Sequence, residues 1–292
     1  MQRFSFLMFV VMIFPTFLVA DDAGDAADFD ASQIRMPLNT RINIAHRGHS
    51  YLAPENTLLA YRIAIQSGAN GGECDVYRTS DGVIILGHDP TMKRTMGGKD
   101  VKITETPYSE IQQCDAGVWK GKQFQGEKVP TLGEYLDLLK GSTCHPVIEI
   151  KMEEIEQPVL DAIHERDMLA ESTIITFSEP VVLKIRELEP NICVAFLYSE
   201  QLPSGTTAKE NADRLAKLLM EKCSKLGTNV LDLNHGILSE KLVRTLQARG
   251  IHVWAWTVDD PARMNQLLDW GVESITTNRP DLLADVLKKV KR

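Results

Sequence analysis

Short runs rich in β-forming residues alternate with amphipathic stretches at helical spacing along the chain after residue 40. Strands that alternate with helices pair in parallel, and eight such units close into a barrel. The candidate strands are Ile42–Ala45, Glu73–Tyr77, Val147–Ile150, Thr173–Phe177, Cys193–Leu197, Asn229–Leu233, His252–Thr257 and Ser274–Thr277. The helical patterns lie near Thr57–Ser67, Leu132–Leu139, Glu156–Met168, Pro180–Glu187, Lys209–Lys225, Leu238–Arg249, Pro261–Asp269 and Pro280–Val290. The sequence therefore predicts an α/β fold, a TIM (β/α)8 barrel.

One segment, between Val83 and Pro130, does not fit this repeat. It holds a further apolar run, Val83–Leu86, a Gly/Lys-rich stretch, and a short helical pattern around Tyr108–Gln113. A segment of this length is too short to carry an independent core. We therefore predict a small insertion after strand two, at about residues 90–130, that overhangs the active face.

A doubly wound open sheet is the competing architecture. It is disfavoured because no Gly-x-Gly-x-x-Gly follows the first strand, where His46-Arg47-Gly48 stands instead. Polar residues also cluster where the candidate strands end, and a barrel builds its site from the loops at those carboxyl ends. They are His46 and Arg47, Glu73 and Asp75, Glu149 and Lys151, Ser178, Asn234 and His235, Trp256 and Thr257, and Thr277 and Asn278.

The N-terminal residues have the composition of an export signal followed by a tether. In residues 1–20, one positive charge, Arg3, precedes an apolar run that ends at Ala20. We predict cleavage after Ala20 and a periplasmic or secreted protein; an uncleaved membrane anchor is the alternative. Residues 21–40 carry five aspartates and little apolar periodicity, which predicts a flexible acidic tether. The catalytic domain is then 41–292.

Charge and cysteine content exclude several classes of partner. The net charge of the chain is −8, and without residues 1–40, which hold five aspartates and two arginines, it is −5. We therefore expect no nucleic-acid partner, and no stable membrane insertion after signal cleavage. Five cysteines without a Cys-x-x-Cys pair argue against zinc. An oxidising compartment would allow a disulfide, but neither its pairing nor the oligomeric state can be read from the sequence.

Three carboxylates form a candidate metal site. Glu73 and Asp75 are two residues apart in one strand, so both side chains leave the same face. Glu149 comes from the next candidate strand, and Lys151 shares its face. Carboxylates that point into a barrel repel each other unless a cation lies between them, and oxygen ligands suit Ca²⁺ or Mg²⁺ better than Zn²⁺. The alternative is a salt-bridged core that uses Lys151 and Arg47.

Two histidines are candidates for proton transfer. His46 and His88 each end an apolar run, and Asp89 is placed to orient the His88 ring. Cleavage of a phosphodiester requires removal of a proton from the nucleophile and delivery of one to the leaving alkoxide. Two imidazoles on opposite sides of the phosphorus would do both.

Several ordered motifs resemble those of the glycerophosphodiester phosphodiesterase family. The resemblance extends over residues 42–285, nearly all of the predicted mature chain. Its motifs are Ala45-His46-Arg47-Gly48, Pro54-Glu55-Asn56-Thr57, Glu73-Cys74-Asp75-Val76, Asp81-Gly82-Val83, Gly87-His88-Asp89, Ile148-Glu149-Ile150-Lys151, Phe177-Ser178, Trp256-Thr257-Val258, and Gly271-Val272-Glu273 with Thr277-Asn278-Arg279-Pro280-Asp281.

The resemblance implies a TIM barrel with a small insertion after strand two and one divalent cation, Ca²⁺ or Mg²⁺. It also implies roles for particular residues. The metal ligands would be Glu73, Asp75 and Glu149, the acid/base pair His46 and His88, the phosphate ligands Arg47 and Lys151, and further substrate contacts Phe177 and Trp256. The chain departs from the family where it has Cys74, usually an aromatic or aliphatic position, and Asn278, where aspartate is common.

The expected reaction is metal-dependent hydrolysis of a small glycerophosphodiester to sn-glycerol 3-phosphate and an alcohol. The attacking oxygen is either the glycerol 2-hydroxyl, which gives a cyclic phosphate first, or water. A lysophospholipase D or sphingomyelinase D-like enzyme is the alternative, and its acyl channel has hints only in Phe177, Leu202, Trp254 and Trp256. A catalytically inactive phosphoester-binding barrel is disfavoured because each expected metal and histidine position is filled.

Overall fold

A computed structural model describes residues 42–97, 100–200 and 208–290. The predicted signal peptide at 1–20 and the acidic tether at 21–40 lie outside these ranges, as does Leu202. Export therefore stays a prediction.

Eight parallel strands form a closed barrel. They are β1 (Ile42–Ala45), β2 (Gly71–Arg78), β4 (His145–Ile150), β5 (Thr173–Thr176), β6 (Cys193–Tyr198), β7 (Val230–Asn234), β8 (His252–Trp256) and β9 (Ser274–Thr277). Neighbours pair in sequence order, and β1 pairs with both β9 and β2. This second pairing of β1 closes the sheet, so the TIM barrel is confirmed and the open doubly wound sheet is wrong.

Helices connect the strands as the periodicity predicts. They are α1 (Leu58–Gln66), α3 (Leu132–Leu139), α4 (Glu156–His164), α5 (Glu179–Leu188), α6 (Ala208–Leu226), α7 (Glu240–Gln247), α8 (Pro261–Trp270) and α9 (Pro280–Val290). Several begin at a polar N-cap: the side chains of Thr57, Ser178, Ser239 and Asp260 each accept a hydrogen bond from a backbone N–H in the first turn. Each cap fixes the residue at which its helix begins.

The insertion follows the barrel strand β2. A short strand, β3 (Ile84–Leu86), pairs antiparallel with β2, and the chain then runs through the short helix α2 (Tyr108–Ile111) to α3. Buried apolar side chains hold this segment together in a cluster of their own; they include Ile85, Met92, Met96, Ile103, Ile111 and Val129. The apolar run at Val83–Leu86 is therefore a hairpin strand that begins the excursion.

Apolar side chains fill the barrel interior below its mouth. Ile44, Val147 and Trp254 belong to this inner cluster, and each lies two residues before a predicted site residue, respectively His46, Glu149 and Trp256. Since side chains two apart in a strand share a face, the polar residues lie one layer nearer the carboxyl ends of the strands.

No helix in the described ranges combines the length and the apolar content needed to cross a bilayer. None of the five cysteines, all of which lie in the described ranges, forms a disulfide in the structure.

Candidate active site

Glu73, Asp75 and Glu149 converge at the mouth of the barrel. Glu73 and Asp75 lie on β2, and the register pairs Asp75 directly with Glu149 on β4. Each residue offers one oxygen, and these three oxygens lie within 4.8 Å of one another. Glu73 and Asp75 are buried, whereas the Glu149 side chain is 12% exposed. The site is therefore open to the mouth on the Glu149 side.

The electrostatics of this cluster favour a bound cation. Burial and the neighbouring Asp75 raise the pKa of Glu73 well above its usual range and that of Glu149 to about 7. Burial opposes ionisation of Asp75 too, but Arg47 and Lys151 lower the pKa of this carboxyl. Asp75 Oδ1 is buried and accepts no hydrogen bond, although Lys151 Nζ lies 3.4 Å away. Two buried carboxylates and a partly buried third, with an unused acceptor among them, fit a hard divalent cation.

Arg47 and Lys151 flank the carboxylates. Arg47 Nε lies 3.2 Å from Asp75 Oδ2, and its backbone N–H donates to Glu73 Oε2 at 2.7 Å. Lys151 Nζ donates to Glu149 Oε1 at 2.8 Å. These contacts include the ion pairs of the salt-bridged alternative, but they leave Asp75 Oδ1 without a hydrogen bond.

The loop after β1 is built to place Arg47. Arg47 has φ 57° and Gly48 has φ 80°, a left-handed conformation that L side chains rarely adopt. A Cβ at Gly48 would lie 2.7 Å from the backbone carbon and the Cβ of Ala60, so glycine is required for the loop to pack on α1. This turn aims the Arg47 N–H at Glu73 and its side chain across the site.

A neutral amide fixes the tautomer of His46. The Asn278 Nδ2 group donates to Asp259 Oδ2 at 2.7 Å, so its Oδ1 faces His46 Nδ1, also at 2.7 Å. An amide oxygen only accepts, hence Nδ1 carries the proton and Nε2 has a free lone pair. Burial, followed by the charge of Arg47, lowers the pKa of His46 to about 4. His46 is therefore neutral at pH 7 and can accept a proton at Nε2.

His88 has an anionic partner instead. Its Nδ1 lies 2.7 Å from Asp89 Oδ1, the contact that the sequence predicts. A hydrogen bond from Arg94 is the main cause that lowers the pKa of Asp89 to about 2, which keeps this carboxylate ionised. The Nδ1 atom of His88 therefore faces an ionised carboxylate, whereas that of His46 faces a neutral amide oxygen.

Phe177 and Trp256 meet at the rim. Their rings pack edge to face with centroids 5.6 Å apart, and Phe177 is 45% exposed. Phe177 lies one residue beyond β5, and not inside the strand as predicted. Trp254 is buried in the barrel core, so of the aromatic hints for an acyl channel only this pair faces the mouth.

Sequence reasoning assigned no role to several residues that support the site. Asn56 donates from Nδ2 to Asp75 Oδ2 at 2.9 Å, and Tyr61 Oη lies 3.0 Å from Asn56 Oδ1. Asp232, on β7, is buried, and neither carboxyl oxygen has a hydrogen-bond partner among the described residues. Burial and then Glu149 raise the pKa of Asp232 well above its usual range. Asn56 lies in a quoted motif, whereas a single tyrosine or aspartate carries no such signal.

A TIM barrel whose ionisable groups gather at the carboxyl ends of its strands is typical of barrel enzymes. The model of the glycerophosphoryl diester phosphodiesterase family matches residues 46–282. The chain belongs to this family, and the resemblance noted in the sequence is confirmed.

Relatives and solved structures agree with this assignment. The glycerophosphodiester phosphodiesterases of Caldanaerobacter subterraneus subsp. tengcongensis and Bacillus subtilis are each 31% identical to this chain. The alignments cover 84% and 85% of it, and 97% and 86% of those proteins. A phosphodiesterase of Oleispira antarctica, solved in complex with the product sn-glycerol-3-phosphate, is 26% identical, with a TM-score of 0.72. That match covers 84% of this chain and 96% of the other. The prediction of an enzyme of this family is therefore confirmed.

Proposed function

We propose that this protein hydrolyses small glycerophosphodiesters to sn-glycerol 3-phosphate and the free alcohol, with one divalent cation and two histidines. The observation that carries the proposal is the convergence of Glu73, Asp75 and Glu149, with one oxygen from each within 4.8 Å of the others. The similar Oleispira antarctica enzyme, which was solved with sn-glycerol-3-phosphate, supports the nature of the product.

The three carboxylates would hold the cation, and their oxygen-only donor set favours Ca²⁺ or Mg²⁺. When bound, the cation supplies Lewis-acid stabilisation of the negative charge that develops on the phosphoryl oxygens. The side chains of Arg47 and Lys151 are 16% and 15% exposed, so both can face a phosphate at the mouth. Their positive charges would bind the phosphate oxygens and stabilise the transition state in a site poor in water.

The different partners of the two histidines assign their roles. His46 is neutral, and its free Nε2 would take the proton of the attacking hydroxyl, whether this belongs to the substrate glycerol or to water. His88, next to the ionised Asp89, would be the acid that gives a proton to the leaving alkoxide. A neutral amide beside one imidazole and an ionised carboxylate beside the other suit the two rings to different roles in proton transfer.

We expect binding of the cation to release protons, because burial raises the pKa of both Glu149 and Glu73 when no ion is bound. The pKa of Glu149 is about 7 and that of Glu73 is raised well above its usual range. Below pH about 7, protons compete with the ion, so its affinity should fall by up to ~10-fold per pH unit for each proton released. Calorimetric titration of Ca²⁺ or Mg²⁺ at pH 6, 7 and 8 measures this. An affinity that does not change with pH would contradict it.

We expect small, water-soluble substrates to be preferred over lysolipids. The groups that would bind substrate act on its phosphate and glycerol, and Phe177 and Trp256 form a single ring pair at the rim. Glycerophosphocholine and glycerophosphoethanolamine should therefore differ by less than ~10-fold in kcat/KM, and lysophosphatidylcholine should be at least ~10-fold poorer. The three substrates are compared side by side at the same cation concentration. A preference for the lysolipid would favour the lysophospholipase D alternative.

A further inference from the structure

Arg94, in the insertion after β3, makes two forked ion pairs. Its Nη1 and Nη2 donate to Glu55 Oε2 and Oε1 at 2.7 and 2.8 Å. Its Nε and Nη2 donate to Asp89 Oδ2 and Oδ1 at 2.7 and 3.1 Å. Four hydrogen bonds from one guanidinium fix its plane and tie the two carboxylates to each other.

Each of these carboxylates also contacts a proposed active-site residue. Glu55 Oε1 accepts a hydrogen bond from Arg47 Nη1 at 2.7 Å. Asp89 Oδ1 lies 2.7 Å from His88 Nδ1. A continuous path of ion pairs therefore connects Arg47, on the loop after β1, with His88, on the loop after β3, and Arg94 is its central member.

The charges along this path alternate, and Arg94 sets how strongly each carboxylate binds its other partner. Burial opposes ionisation of Glu55, but Arg94 and Arg47 lower its pKa. The Glu55 side chain is only 12% exposed, so without Arg94 its one cationic partner among the described residues would be Arg47. Asp89 would likewise be left with His88. Either carboxylate could then draw its partner away from the phosphate.

We propose that Arg94 is a positioning residue that holds Arg47 and His88 in register across the substrate phosphate. Arg94 acts on Arg47 through Glu55 and on His88 through Asp89. This role rests on the proposed function, because it presupposes that Arg47 binds phosphate and that His88 transfers a proton. It also explains how the insertion takes part in the reaction without contacting the reacting atoms.

The first test compares Arg94→Gln, Arg94→Lys and a matched control, Lys93→Gln. Lys93 is the adjacent residue and pairs with the exposed Asp100. Loss of a residue that supports an active-site group costs about 10–100-fold, so Arg94→Gln should lower kcat by that factor and raise KM several-fold. Lysine keeps the positive charge but lacks the planar guanidinium, so it can pair with only one carboxylate at a time. Arg94→Lys should therefore be more active than Arg94→Gln and less active than the wild type. Lys93→Gln should stay within about twofold of the wild type, as surface changes usually do.

The second test separates positioning from a general structural role. In a His88→Ala background, the effect of Arg94→Gln on kcat should shrink to less than ~3-fold, because residues that act as a unit are not additive. The increase in KM that Arg94→Gln causes should persist in this background, because it results from displacement of Arg47 and not of His88. Asp89→Asn should mainly lower kcat and Glu55→Gln should mainly raise KM, so each half of the path can be tested even where Arg94→Gln folds poorly.

Wild-type kcat and KM in Arg94→Gln, with His88→Ala impaired, would overturn the positioning role and leave the proposed function intact. An equal loss from Arg94→Gln in the wild-type and His88→Ala backgrounds, with a lower melting temperature, would also overturn it, because it would indicate a structural role. Wild-type activity in His88→Ala would overturn the proposed function itself, and the positioning role with it. These three results are distinguishable in one set of kinetic measurements.

Discussion

Glu73→Gln and Asp75→Asn are expected to lower kcat/KM by about 10²–10³-fold or more, the scale of losing a principal electrostatic contribution to a transition state. Both changes keep the size of the side chain and remove one anionic ligand, so the cation should bind more weakly. Activity at several cation concentrations, with the bound metal measured by mass spectrometry, checks this. Asp137→Asn is a suitable control, because Asp137 pairs with Arg166 away from the site and is 61% exposed.

Glu73→Gln has a second expected consequence. Burial and the adjacent Asp75 disfavour the ionised form of Glu73 when no ion is bound, so this carboxyl lowers the free energy of unfolding near pH 7. Glu73→Gln removes this cost, and its amide oxygen can still accept the hydrogen bond from Arg47 N. The metal-free variant should therefore melt at the same temperature as the metal-free wild type, or higher. Full activity in either variant would remove the cation from the reaction.

His46→Ala and His88→Ala are each expected to lower kcat by at least about 100-fold, the usual scale for a positioned proton-transfer group. The double variant should be little worse than the more damaged single variant, because the two histidines act in one reaction. Near wild-type kcat in either single variant would show that the residue is misassigned.

Leaving-group dependence separates the two roles. A p-nitrophenyl ester of glycerol phosphate has a leaving group that needs no proton, so His88→Ala should lose much less activity on it than on glycerophosphocholine. His46→Ala should lose a similar factor on both substrates, because its task is at the attacking oxygen. The reverse pattern would exchange the acid and the base.

The sequence predicted the barrel and much of the candidate site because both depend on local periodicity. Alternation along a strand places Glu73 and Asp75 on one face, and the order of strands places Glu149 beside them. Strand ends were less predictable. β2 begins at Gly71, before the predicted start at Glu73, because Gly71 and Gly72 pair with β1 where little space remains: a Cβ on Gly71 would lie 2.9 Å from Ile44 Cγ1. Glycine has no strand propensity, so only the tertiary contact explains it.

The supporting contacts could not be predicted because they join distant parts of the chain. Asn278 reaches His46 across 232 residues, and Arg94 reaches Glu55 across 39. Neither separation follows from the repeat of a helix or a strand, and a lone arginine in a loop is typical of a solvated surface. The fixed geometry of the barrel rim brings these side chains together, and the rim is defined only once the sheet closes.

The most direct test of the proposed mechanism is hydrolysis of glycerophosphocholine by purified protein, followed by ³¹P NMR, before chelation, after chelation, and after addition of Ca²⁺ or Mg²⁺. We predict formation of sn-glycerol 3-phosphate and choline, loss of at least ~100-fold in rate in the chelated protein, and recovery on addition of one of the two ions. Glu73→Gln should not recover under the same conditions. Undiminished turnover in chelated protein with no metal left by mass spectrometry would contradict the proposed mechanism.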